Sequence, residues 1–350
     1  MIRLSPLLLV TLLGCSAQKT LGGAASCADC PSGYSCGTAN GQHVCKSTTG
    51  VPLFSTLFVI VMENTSYQTL HDDAATNTPY LHGLLASAAY ATNYHGVAHP
   101  SLPNYLAMTS GSTGTQSDGK PISCDCAPQG NDCTSCNILS SCGCQQAVAR
   151  HVGDQLESVN KSWRAYGESM GSACALTASG DYVPRHLPFL YYGNVQGDAA
   201  RCQSRVVDYG MLAADLAGKT PELVFIAPNL VDDMHGASSI PNPFGGAANM
   251  KAGDAWLAAN VPVLTASPAY QRGGAIVIVW DEDDLSGGLN GSDDPVPLFV
   301  LSPLARSGGF ASATKADHYA LLATIEDGLG LGRLGAAASA QPLVDFFSAP

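Results

Sequence analysis

The stretch FVIVMENTSY, Phe58 to Tyr67, decides how the rest of the chain is read. It begins as a run of apolar and β-branched residues, the composition of a strand covered on both faces. The run then stops on Glu63-Asn64. In open α/β sheets the carboxyl ends of strands are where ligands are held. A carboxylate beside an amide at that point is either the start of a site or the place where the chain meets water. The other strands must decide.

The spacing predicts strands over 57–62 (LFVIVM), 222–228 (ELVFIAP), 275–280 (AIVIVW) and 297–303 (PLFVLSP). Such near-continuous apolar runs are expected of parallel strands. Helical patterns over 80–89, 104–109, 147–159, 209–217, 255–266 and 318–328 alternate with them, which implies a three-layer α/β/α domain. Two more strands end in acids. The second leads into NLVDDMHG, with Asp232, Asp233 and His235, and the third runs into DEDD, Asp281 to Asp284. One acidic end is a solvated terminus. Three in one sheet would crowd carboxylates that resist joint ionisation unless a cation neutralises them. One hard divalent metal ion of the Mg, Ca or Mn class answers that need. The rival reading of DEDDLSGGLNGSDD, an acidic surface or calcium loop, fails the EF-hand pattern, because Ser286 and Ser292 stand where Gly and Glu are required.

A metal needs a group to activate, and HGVAHPSLPNYLAMTSG (95–111) places Ser101 just ahead of a helix expected to start at Pro103-Asn104. Taken alone, a serine there reads as an N-cap. Facing a metal, its hydroxyl can lose the proton, and the free N–H groups of the helix then receive an anion, phosphate fitting best.

At 350 residues, 46% of them apolar and 13% charged, the chain can bury a large α/β core. A net charge of −12 argues against nucleic acid as a partner, since phosphate backbones demand a basic face. The opening MIRLSPLLLVTLLGCSAQ reads as a signal peptide over 1–14, and LLGC resembles a lipobox in which Cys15 is lipidated. An ordinary secretory signal is the alternative. Either way the product is exported, as a cell-envelope or outer-membrane lipoprotein or as a secreted protein, with membrane contact only through the N-terminal lipid. Setting Cys15 aside leaves twelve of the thirteen cysteines, a number that can pair completely in an oxidising compartment. Their CxxC spacings also suit zinc, but in an exported chain disulfides are the better reading. Residues 15–50 read as a small cystine-rich module and linker, 51–350 as the main domain, and 117–146 as a disulfide-held insertion without regular structure.

VIVMENTSY, HPSLPNYLAMTSG, WRAYGESM, YVPRHLPFLYY, PNLVDDMHG, WDEDD and DHYALLATIEDGLGL together resemble the bacterial phosphoesterase family. That family holds secreted acid phosphatases and phospholipases C and belongs to the alkaline-phosphatase-like superfamily. The resemblance runs in order from about Leu57 to about Leu331 and leaves out the cystine-rich module. It implies an alkaline-phosphatase-like fold, with Glu63, Asn64, Asp281 and Glu282 as metal ligands and Ser101 as nucleophile and fifth ligand. Asp233, His235 and His318 would line the phosphate and leaving-group side, and His99 and His186 would bind phosphate or order their loops. His235 and His318 stand in for the second metal of two-zinc relatives, whose late Asp-His pair is replaced here by Asp281-Glu282. His71, His82 and His151 read as surface or packing residues. The expected function is an acid phosphatase working through phosphoserine on a phosphorylated small molecule or lipid. A phospholipase C-type phosphodiesterase is the rival, weakened because longer relatives carry C-terminal β-domains and this chain ends soon after TIEDGLGLG. A non-catalytic surface-binding protein on the same scaffold is a third reading, and retention of every proposed ligand speaks against it.

Overall fold

A computed structural model describes residues 30–40, 42–73, 75–132, 142–147, 149–236, 247–284 and 293–347. The signal segment and Cys15 lie outside the described residues. The chain opens with a hairpin, β1 (Tyr34–Ala39) and β2 (Gln42–Ser47). Then follow β3 (Leu57–Met62), β4 (Ala89–Ala91), β5 (Tyr94–His95), β6 (Trp163–Gly167), β7 (Val206–Asp208) and β8 (Leu223–Ala227). The last strands are β9 (Ala275–Trp280), β10 (Leu298–Leu301), β11 (Ala311–Ser312) and β12 (Ala316–Asp317).

Eight of these form the central sheet in the order β11-β4-β10-β9-β3-β8-β6-β7, while β5 and β12 pair in a small parallel ribbon. The β3 strand sits in the middle, parallel to β8 on one side and β9 on the other. All three are buried along their whole length, which is why they read as unbroken apolar runs. Each large aliphatic side chain so buried contributes about 1.5–3 kcal/mol. The run at 297–303 is also a strand, but β10 lies antiparallel to both β9 and β4, against the parallel direction expected for it. The physical reason is plain. A strand inside a covered sheet is apolar on both faces whichever way it points, so composition carries no direction.

Helices flank the sheet, giving the three-layer α/β/α architecture. Ser101–Ser110 packs against His318–Leu329, and Pro79–Ser87 packs against Ala247–Ala266. The last pair is tied by Asp254, whose carboxylate accepts from the backbone N–H groups of Tyr80 (3.1 Å) and Leu81 (2.8 Å) and so caps a neighbouring helix. The Ser101 helix ends on Gly111, in the left-handed region at φ 72°. A Cβ there would lie 2.4 Å from the Leu334 carbonyl oxygen, so only glycine fits.

The β1–β2 hairpin is stapled by Cys30–Cys45 and rests on the main domain. Ala39 and Val44 join the core, and the Tyr34 hydroxyl donates to the Asp327 carbonyl at 2.5 Å. All nine cysteines among the described residues are in disulfides, including Cys126–Cys144 and Cys174–Cys202. The zinc alternative therefore has no free thiolates there. Of the expected insertion, 133–141 lies outside the described residues, and the rest is held by isolated bridges at Thr115–Pro121, Ala127–Gly143 and Asn131–Cys144.

Candidate active site

Because β3 lies between β8 and β9, Glu63-Asn64, the Asp233 turn and Asp281-Glu282 meet at one edge of the sheet. Backbone bonds lock them together: Glu63 N–H donates to the Asp233 carbonyl (2.8 Å) and Asp281 N–H to that of Met62 (3.0 Å). The approach of the 96 and 281 loops is equally close, since a Cβ on Gly96 would stand 2.8 Å from the Asp281 carbonyl oxygen.

Ser101 is the first residue of its helix, two positions earlier than the expected start, and the cap position falls to Pro100. Its hydroxyl makes no cap bond. Instead it donates to Glu63 Oε2 at 2.8 Å, with Glu282 Oε1 at 3.3 Å. Asn64 Nδ2 donates to the same Glu282 oxygen at 3.3 Å, and Asn64 N–H to Asp281 Oδ1 at 3.3 Å. Ser101, Glu63, Asn64, Asp281 and Glu282 are thus one buried cluster. Asn64 Oδ1 and Asp281 Oδ2 are buried in it with no hydrogen-bond partner among the described residues. Orphaned oxygens of this kind are costly unless something else satisfies them.

The electrostatics agree. Burial, then the neighbouring Asp281, pushes the Glu63 carboxyl well above the usual carboxylate range. Burial and Glu282 do the same to Asp281, and burial raises Glu282 against the pull of His99. Three buried carboxyls that raise one another, plus an amide oxygen and a hydroxyl, form an all-oxygen donor set. A hard divalent cation fits it better than zinc, which prefers nitrogen and sulfur.

The histidines separate into distinct roles. His186 is fully buried, stacked on Tyr105 with ring centroids 5.2 Å apart. Its Nε2 is 3.2 Å from Glu63 Oε1 and its Nδ1 3.2 Å from Asp233 Oδ2. Neither contact has hydrogen-bond geometry, and His186 Nε2 and Asp233 Oδ2 are buried with no hydrogen-bond partner among the described residues. Burial, Arg185 and His235 push the imidazole well down, while burial and Glu63 push the Asp233 carboxyl well up. Glu63, His186 and Asp233 also lie close enough together to hold a metal ion. His99 reaches Glu282 Oε2 at 2.6 Å and borders a cavity of about 420 Å³ lined also by Asp283, Asp293, Lys315 and Tyr319. His235 is half-buried beside Arg185, at 3.5 Å, and burial, then Arg185, lowers its pKa.

His318 is placed behind the cluster rather than in the cavity. Its Nε2 is 2.6 Å from the Asp281 carbonyl and its Nδ1 2.8 Å from the Tyr94 hydroxyl, and burial pushes its pKa down to about 4. Both ring nitrogens are occupied in holding the turn that presents Asp281. Asp283 and Asp284 of the DEDD run fasten loops, accepting from Asp294 N–H (3.2 Å) and the Thr69 hydroxyl (2.6 Å).

Four participants were not singled out from the sequence. Tyr105 donates to Glu63 Oε1 at 2.5 Å, and its position four residues after Ser101 on one helix was the available signal. Asn104 Oδ1 accepts from Val97 N–H (2.9 Å) and Ala98 N–H (3.1 Å), shaping the loop ahead of the serine. Arg185, next to His186, has its guanidinium 3.2 Å from Asp125 Oδ2. Burial works against its charge, but Asp125, Glu63 and Asp233 hold its pKa above the ordinary value. Asp125, between two cysteines, gave no signal at all.

The model of the Phosphoesterase family matches residues 61–332, a range that includes every residue of this cluster. A phosphatidylinositol-3-phosphatase from Mycobacterium tuberculosis is 24% identical over 306 residues, 86% of this chain and 85% of its own. An acid phosphatase from Aspergillus fumigatus is 24% identical over 292 residues, 81% of this chain but 56% of its own length. A probable acid phosphatase from Kluyveromyces lactis shares 24% over 291 residues, covering 81% of this chain and 60% of its own. The chain therefore spans little more than half of these two fungal relatives. Among solved structures, a protein of the alkaline phosphatase superfamily from Vibrio parahaemolyticus matches with a TM-score of 0.53 at 13% identity, over 85% of this chain and 69% of that one. Human ectonucleotide pyrophosphatase/phosphodiesterase 5 also gives 0.53, at 9% identity, over 84% of this chain and all of that one. At such identities the likeness is one of fold.

Proposed function

The chain belongs to the Phosphoesterase family and hydrolyses phosphoric ester bonds, and from that premise we propose an exported, metal-dependent phosphomonoesterase with Ser101 as nucleophile. One observation carries the proposal: the buried Ser101 hydroxyl, on the first turn of its helix, bonded to Glu63 beside two orphaned oxygens. Glu63, Asn64, Ser101, Asp281 and Glu282 would hold one divalent cation, which when bound lowers the pKa of a coordinated hydroxyl and offsets phosphoryl charge.

The remaining steps belong to the chain's own groups. The Ser101 proton leaves towards Glu63 Oε2, and Oγ attacks phosphorus. Leu102 N–H and Arg185 face the phosphoryl oxygens. As the bond to the leaving oxygen breaks, His235 gives that oxygen a proton, and water then hydrolyses the phosphoserine. His186 and Tyr105 fix the orientation of Glu63, and His318 positions Asp281. Because burial and Arg185 lower the pKa of His235, its acid form is favoured only towards low pH, which supports an acidic optimum.

The names of the relatives, a phosphatidylinositol-3-phosphatase and acid phosphatases, support a monoester substrate, either a small molecule or a lipid headgroup. Export is supported by the complete pairing of the described cysteines and by the LLGC boundary. Among the described residues no helix is long and apolar enough to cross a membrane. On this reading Cys15→Ser moves the protein from the membrane fraction to the soluble one. The function is tested by kcat/KM for p-nitrophenyl phosphate against bis-p-nitrophenyl phosphate and p-nitrophenylphosphorylcholine, at pH 5 and pH 7, with chelator and with metal restored. The monoester should lead and its hydrolysis should depend on metal. A diester that leads at both pH values refutes the reading.

A further inference from the structure

The N-terminus of the Ser101 helix already carries an anion, and the anion is part of the chain. Asp125 Oδ1 accepts from Leu102 N–H at 3.0 Å, and its Oδ2 lies 3.2 Å from Arg185 Nε. Leu102 follows the proposed nucleophile directly, and its N–H is one of the four that a helix leaves without an internal acceptor. One carboxylate thus lies against both groups that a phosphoryl group on Ser101 would need, hydrogen-bonded to Leu102 N–H and ion-paired with Arg185. Its backbone, though not its side chain, is held by covalent means. Cys124 and Cys126 on either side are both in disulfides, Cys126 with Cys144, and the Tyr191 hydroxyl donates to the Cys126 carbonyl at 2.6 Å. The carboxylate itself is not walled in. Its side chain is 29% exposed and borders a cavity of about 380 Å³, with Thr177, Val183 and Arg185 on the walls.

We propose that the Asp125 carboxylate is an internal occupant of the phosphoryl seat, which a phosphorylated ligand must displace. The inference rests on the Ser101 reading and adds to it a residue that sets how tightly phosphate is held. A phosphoryl group brings three acceptor oxygens against the carboxylate's two, so it can replace the carboxylate on both Leu102 N–H and Arg185. Asp125 then swings into the adjoining cavity and no bond is made or broken.

A rival role would be for Asp125 to brace Arg185 so that the guanidinium is aimed correctly. The two roles give opposite signs. Calorimetric titration of inorganic phosphate and of dimethyl phosphate at pH 8 is to be run on the mature protein, on Asp125→Ala and on Asp125→Asn, which keeps the side-chain shape. If the carboxylate is a competitor, both ligands bind about tenfold more tightly to both variants, and inorganic phosphate gains at least as much as dimethyl phosphate because the displaced carboxylate repels a dianion more. Equal or weaker binding of both ligands by the variants overturns the proposal in favour of bracing. Turnover by Ser101→Ala is read separately. If that variant remains active the nucleophile assignment fails, while the sign of the affinity change still decides the role of Asp125.

Discussion

Replacing Glu63 by Gln should stabilise the protein without metal and destabilise it relative to wild type with metal. Glu63 and Glu282 both reach the Ser101 hydroxyl, at 2.8 and 3.3 Å, so their oxygens lie within about 6 Å of each other. At an effective dielectric of about 20, two negative charges at that distance repel by about 3 kcal/mol. This is a ceiling, because burial and Asp281 raise the Glu63 pKa and a bound proton relieves the repulsion. A carboxyl whose folded pKa is raised gives its full stability below its unfolded pKa, and that stability is lost as pH rises through the folded value. Chelated wild type should therefore lose thermal stability as pH increases, and chelated Glu63→Gln should lose less. For a domain of this size the ceiling corresponds to a melting-point gain of about 6 °C at pH 8. Adding metal should then raise wild type steeply, by mass action on the native state, and raise the variant little. Differential scanning fluorimetry in chelator and in excess Mg, Ca or Mn reads all four states. A variant less stable than wild type in both conditions would mean that Glu63 serves the fold rather than a cation, and the reasoning would fail.

Two further substitutions test neighbouring claims. Glu326, buried in the His318–Leu329 helix, accepts from Leu334 N–H (2.8 Å) and Gln155 Nε2 (3.2 Å), and burial raises its pKa to about 8. Its contribution is fully present below the unfolded carboxyl pKa and is lost as pH rises through the folded value of about 8. Glu326→Gln should match wild type in melting temperature at pH 5 and exceed it by about 2–4 °C or more at pH 8, where wild type alone must hold a proton or bury a charge; equal melting curves at pH 8 refute this. Gly96→Ala places a Cβ against the Asp281 carbonyl, so it should cost about 1–3 kcal/mol and lower kcat by about tenfold or more through displacement of Asp281 and Glu282. Wild-type kinetics from that variant would show that the 96 and 281 loops adjust freely.

The sequence revealed those parts whose physics is local. The β3, β8 and β9 strands were readable because each is buried on both faces, and the residues just past them stood out as acids after apolar runs. Ser101 was readable because a serine ahead of a helix turn is a local pattern, although Pro103 misplaced the start of the helix by two residues. Other features depend on what the chain packs against. The β6 strand, WRAYG, mixes Arg164 into its run because that guanidinium turns out to pair with Asp215 at 2.6 Å, so it did not read as a strand. The direction of β10 is fixed by its neighbours alone. His318 looked like a helix-opening residue free to act on substrate, and only the fold shows both its nitrogens occupied. Asp125 and Arg185 are 60 residues apart and meet through tertiary structure, which no spacing rule could have paired.

The central claim is that phosphorus passes through Ser101, and trapping that bond tests it most directly. The enzyme is mixed with p-nitrophenyl phosphate at pH 5, quenched in acid within the first turnovers, digested and mapped by mass spectrometry. The account predicts a phosphate on the peptide that contains Ser101, and its absence from Ser101→Ala, whose turnover should fall by several orders of magnitude. Phosphate on another residue, or a Ser101→Ala variant within tenfold of wild-type activity, would contradict it.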